Sequence, residues 1–173
     1  MKTVFQALAK YNKNVNLELI TLLESTPADK MAAKTKAFYP TITDAVLHLL
    51  VSDLSFLKRF KAAFPLSNAL NSNALLTSDI AGLKGQLEHD LKKYIQHRKE
   101  ADAAMMQFVD ELNDGDLNMV FKYTNYKGEA VETIVWKMLL TIFNHETHHR
   151  GGVSVMLELE DVKNDYSGTL ARI

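Results

Sequence analysis

The sequence predicts an all-α protein: a four-helix bundle with a short β-hairpin before the last long helix. Three observations carry this. Only seven Gly and three Pro interrupt 173 residues, a balance that favours long helices over many short strands. Apolar residues recur at three- and four-residue spacing through several long runs. Between the third and last runs lies one β-prone segment with a turn signal at Lys127-Gly128.

The first helix carries Phe5, Leu8, Val15, Leu19, Leu22 and Leu23 on one face and stops before Pro27. After Pro40, Thr41 or Thr43 can cap a second helix with the stripe Ile42, Ala45, Val46, Leu49, Phe56, Leu57, Phe60 and Phe64, halted by Pro65. The polar stretch 67–78 reads as a loop. Thr77 or Ser78 then caps a third, long helix with Leu83, Leu87, Leu91, Tyr94, Met105, Val109 and Leu112 on one face. Asn113-Asp114-Gly115-Asp116 ends it, and residues 119–131 form the hairpin, which must pack on helices because two strands alone are marginal. The last helix starts near Glu132 and carries Ile134, Met138, Leu139, Ile142, Phe143, Val153, Met156 and Leu157, with a polar tail after Asp161. Four amphipathic helices sharing one core make residues 1–173 a single bundle domain.

Composition excludes several function classes. Cysteine is absent, so there is no disulfide framework and no thiolate, and a transition metal must be held by His, Asp or Glu. Twenty basic and 21 acidic side chains give a net charge of −1. No basic stripe could neutralise a run of phosphates, which argues against nucleic acid. No apolar stretch approaches the roughly 20 residues that span a bilayer, and no secretory signal core opens the chain. We expect a cytoplasmic protein with no membrane contact.

Chemistry concentrates in the last helix. At about 100° per residue, His145 and His149 lie some 40° apart, with Met138 and Met156 between them in angle, so both imidazoles point inward. A lone inward His is usually satisfied by hydrogen bonds within the core. Two rings one turn apart would repel if protonated and compete for partners if neutral, whereas a metal ion accepts both nitrogens. A third ligand must come from elsewhere, and His48, His89 and His97 are the candidates. His89 projects opposite the apolar stripe and His97 lies at its flank, both surface positions. His48 lies well off the centre of its helix's apolar face, among Ala45, Val51, Ser52 and Ser55, whose small side chains leave room beside the ring. Spacing alone does not select it.

His145-Glu146-Thr147-His148-His149 also satisfies H-E-x-x-H, the zinc hydrolase pattern in which the Glu activates water. Such a hydrolase would want a supporting sheet and a downstream ligand, and only a hairpin is visible. Glu146 is the candidate catalytic base if it faces a metal-bound water, but its angle puts it on the stripe's shoulder, the place of a solvent-facing carboxylate. His148 is open to a supporting, substrate-contacting or surface role. Arg150 suits a structural ion pair, with anion binding as the other reading. Gly151-Gly152 within the helix implies either close approach of another backbone or a helix break.

Asn144-His145-Glu146-Thr147-His148-His149-Arg150-Gly151 resembles the N-H-x-x-H-H-R-G signature of the DinB/YfiT-like family. The resemblance extends to Tyr11-Asn12 and Asn16, to His48 followed by Asp53, and to the hairpin. It implies a metal site of one His from the second helix and the two outer His of the signature: His48, His145 and His149. It further implies one divalent ion, nickel or zinc, in a four-helix bundle that often forms a homodimer. Some members resemble thiol-dependent transferases or isomerases, so the implied function is a metal-dependent enzyme activating water or a low-molecular-weight thiol toward a small-molecule substrate. The contrasting expectation is a non-catalytic helical stress or interaction protein with a structural histidine cluster.

Overall fold

The computed structural model describes residues 1–173, the side chain of Ala81 excepted. The chain runs α1 (Lys2–Ser25), α2 (Ala28–Met31), α3 (Ile42–Ala63), α4 (Asn68–Asn71), a 3₁₀ turn (Ala74–Thr77), α5 (Ile80–Leu87), α6 (Leu91–Glu111), α7 (Asp114–Asn118), β1 (Val120–Thr124), β2 (Ala130–Ile134) and α8 (Val135–Leu159).

The long helices begin and end where local chemistry stops them. Thr26, the residue before Pro27, is extended at φ −84°, ψ 126° and closes α1. Thr41 Oγ1 accepts the Asp44 N–H at 3.0 Å and caps α3, and Phe64, before Pro65, leaves helical geometry at ψ 68°. At the turn of the hairpin Gly128 adopts φ +81°, a left-handed conformation that suits glycine. The antiparallel ladder runs from Val120 opposite Ile134 to Thr124 opposite Ala130. Phe121 seats the hairpin on the bundle, its ring 5.5 Å from that of Phe60.

The four long helices α1, α3, α6 and α8 close a ring: α1 packs on α6 and α8, and α3 packs on the same two. Their apolar faces form one continuous core in which Leu23, Leu50, Leu54, Phe108, Leu139 and Ile142 are wholly inaccessible. The all-α class and the hairpin before the last helix are as the sequence predicts. Among the described residues, no helix is long and apolar enough to cross a membrane.

Several element boundaries differ from the sequence reading, among them the start of α5 at Ile80 rather than after a Thr77 or Ser78 cap, and the short helix α7 that Asn113 caps. The single third helix is two, because Asp90 Oδ1 accepts the Lys93 N–H at 3.0 Å and starts a fresh helix after residues 88–90. The stretch 67–78 holds α4 and the 3₁₀ turn, with Leu70, Leu75 and Leu76 buried. Finally, β2 runs to Ile134, so α8 starts three residues later than Glu132. Alternation along residues 130–134 outlasts the onset of helical spacing, and ladder pairing decides that overlap.

Candidate metal centre

Adjacent packing of α3 and α8 brings His48 to His145 and His149. His48 Nε2 lies 3.1 Å from His145 Nε2 and 3.2 Å from His149 Nε2. The ring centroids of His145 and His149 are 4.3 Å apart, as expected for residues one helical turn apart on the same face. Among the described residues, this is the group of three whose nitrogens lie close enough to share an ion, all within 4.8 Å of one another. Aromatic rings wall the cluster. Tyr39 stacks on His48 with centroids 4.5 Å apart and meets His149 edge-on at 5.6 Å. Phe56 stands edge-on to His145 at 5.9 Å.

The donor set fits a metal ion. A single N–H on His48 Nε2 could serve only one of its two nitrogen neighbours, so hydrogen bonding alone leaves the convergence unexplained. A cation at about 2.0–2.1 Å from each nitrogen places ligand atoms about 2.9 Å apart at right angles and about 3.4 Å apart at the tetrahedral angle. The observed 3.1 and 3.2 Å fall between these limits. The rings are also held neutral, as ligation requires. Burial is the largest cause for all three. It pushes His48 down to about 4, with help from His149, His145 and Lys84. His149 is likewise pushed down to about 4, with His145 and His148 adding to the effect. His145 is lowered less, because the negative field of Asp53 opposes its burial.

Beside the cluster, all four long helices contribute to a buried polar layer. Arg98 Nη2 donates to Asp53 Oδ2 at 2.6 Å and to Asp102 Oδ1 at 2.7 Å. Asn16 Nδ2 donates to Asp102 Oδ1 at 2.9 Å. Arg150 Nη1 donates to Asn12 Oδ1 at 2.5 Å, to Asn16 Oδ1 at 3.2 Å and to Glu146 Oε2 at 3.3 Å. The layer therefore couples the residues next to His145 and His149 in the chain to α1, and through Asp53 to the helix that carries His48. Arg150 makes the structural pairing expected of it.

Glu146 departs from the sequence reading. It is 0 % exposed and held by Arg150, rather than facing solvent. The shoulder of the α8 stripe faces α1 and its asparagines, so a position that would be wet on an isolated helix is interior here. Burial, reinforced by Asp53 and opposed by Arg98 and Arg150, holds its carboxyl well above the usual carboxylate range. A folded pKa above the unfolded one gives stability that is complete below the unfolded value and lost as pH rises through the folded one. Glu146→Gln keeps an acceptor for Arg150 and removes that loss. We expect its urea midpoint to match the wild type at pH 4.5 and exceed it at pH 8; the reverse order at pH 8 would show an ionised Glu146.

The remaining candidates separate. His148 is exposed, its ring 4.9 Å from that of His149. His89 is exposed, as expected. His97 is buried rather than at the surface, because α6 packs on α1, α3, α4 and α5 and the flank beside Tyr94, Arg98 and Ala101 is covered as well as the stripe. Arg98 and Asp102 were missed by sequence reasoning, although the signal was available: they share a helical face with Tyr94, Ala101 and Met105. Gly151 and Gly152 continue the helix, and a Cβ built on either meets nothing within 4 Å. Neither a helix break nor a close neighbour in this chain accounts for them.

The chain is 24 % identical over 150 residues to the "Protein DinB" of Bacillus subtilis (strain 168), an alignment covering 87 % of this chain and 82 % of that one. No solved structure gives a match. Residues 1–160, which include the whole bundle and all three clustered histidines, match the model of the DinB family, and the chain belongs to that family.

Proposed function

We propose that His48, His145 and His149 hold one divalent transition-metal ion, nickel or zinc, and that the protein is a metal-dependent enzyme acting on a small molecule. The convergence of three Nε2 atoms at 3.1 and 3.2 Å carries this reading. Imidazole donors suit zinc and nickel alike. Three protein ligands leave a position open, where such an ion acts as a Lewis acid and lowers the pKa of a water or a low-molecular-weight thiol.

The chain's own residues prepare that position. Burial keeps the rings neutral and able to donate lone pairs. Tyr39 and Phe56 fix ring orientation and keep bulk water from the flanks. Glu146 enters this reading as a buried support beside His145, not as a water-activating base, since Arg150 holds it away from solvent. The peptidase reading draws no support from a sheet of two strands. For protein purified without a polyhistidine tag and equilibrated with zinc or nickel, elemental analysis should find about one ion per chain, and close to none in His48→Ala. Equal and negligible metal in both would remove the proposal.

A further inference from the structure

A groove opens directly off the histidine cluster. It has a volume of about 410 Å³ and lies between the segment 37–39 and the face of α8 that runs from His148 to Met156, a size in the range of small-molecule sites. His149 belongs to both the groove and the cluster. Tyr39 lines the groove while its ring lies against His48 and His149. The lining includes Phe38, Val155 and Met156 and no Lys, Arg, Asp or Glu; beyond His148 and His149 at the cluster end it offers mainly apolar contacts. Phe38 is 89 % and Val155 56 % exposed, an apolar surface left to water at the mouth.

Gly151 and Gly152 lie along the same groove. Each costs the helix about 1 kcal/mol relative to alanine, and no neighbour in the chain needs the missing Cβ. A side chain at either position would instead occupy groove volume.

We infer that this groove binds an uncharged hydrocarbon portion of the substrate whose reacting end lies at His48, His145 and His149. The inference rests on the metal-site reading above and adds the substrate class: a molecule with a metal-seeking or thiol-reactive head and an apolar tail. Continuity with the cluster selects a small molecule over a second copy of the chain, since a tail anchored at His149 runs straight onto the glycine floor.

The test uses full-length protein, first loaded with zinc and assayed for bound metal, then titrated calorimetrically with acetohydroxamate, butanohydroxamate and hexanohydroxamate. Affinity should rise about fourfold for each added methylene, the value of a buried CH₂, and so about a hundredfold or more across the series. Gly152→Leu and Gly151→Leu fill the groove with residues that favour helix more than glycine does. Both should keep the zinc content and flatten the series. Failure to take up zinc overturns the metal reading and this inference together. Zinc uptake with a flat series in the wild type overturns the groove alone, as does a steep series that persists in both glycine variants. A flat series together with loss of a dimer on Gly152→Leu assigns the face to a second copy and also overturns the inference.

Discussion

Replacing Arg98 by methionine is expected to lower the unfolding free energy by about 3–5 kcal/mol, as when one partner of a buried ion pair is removed. Arg98 is 2 % exposed, and one of its nitrogens bonds both Asp53 and Asp102, themselves 2 % and 3 % exposed. The substitution leaves two carboxylates without their cation in the centre of the bundle. Asp102 already sits at about 6, raised by burial against the opposing pull of Arg98, so without Arg98 it should rise further. Protonation would then relieve part of the damage, and the penalty should be smaller at pH 5 than at pH 8. Urea denaturation at the two pH values reads both effects. A loss within about 0.5 kcal/mol, the range of an ordinary surface substitution, would show that the layer contributes little.

Zinc at a hundred times its dissociation constant should raise the unfolding free energy of the wild type by about 2.7 kcal/mol, because the ion binds the folded state preferentially. The increment should vanish in His149→Ala. Its pH dependence follows from the lowered imidazoles. Above the unfolded pKa of 6.5 the rings are neutral in both states and cost nothing. As pH falls toward the folded value of about 4, the unfolded chain takes up protons that folded His48 and His149 refuse, so the metal-free protein loses stability across that window. The same refusal keeps the folded site open to metal at pH 5.5, where free imidazole is mostly protonated. Thermal unfolding with and without zinc between pH 4.5 and 7.5 checks this. A zinc increment that collapses at pH 6.5 would mean that the cluster titrates as exposed histidine does.

Much of the site was legible in the chain. The inward orientation of His145 and His149 follows from helical angle and from Met138 and Met156 on the same stripe. The helix ends at Thr26 and Phe64 follow from the prolines after them, and the hairpin from its glycine turn. His48 was nameable through the resemblance to a family signature, whereas spacing left it beside His89 and His97. The break at Asp90 rests on a local cap three residues long, whereas Glu146 and His97 were not legible, and they share a cause. Each depends on which neighbouring helix covers a flank, a contact between residues distant in sequence.

Local rules of spacing, capping and turn chemistry act within a few residues, so the sequence by itself determined the helical class, the hairpin and the inward face of the last helix. The meeting of α3 with α8 needed the tertiary structure, because two helices 97 residues apart at His48 and His145 come together only as the bundle buries its apolar faces. The same closure turned Glu146 and Arg150 from flank residues into interior ones. Burial then set their charge states, which depend on surroundings that no single helix carries.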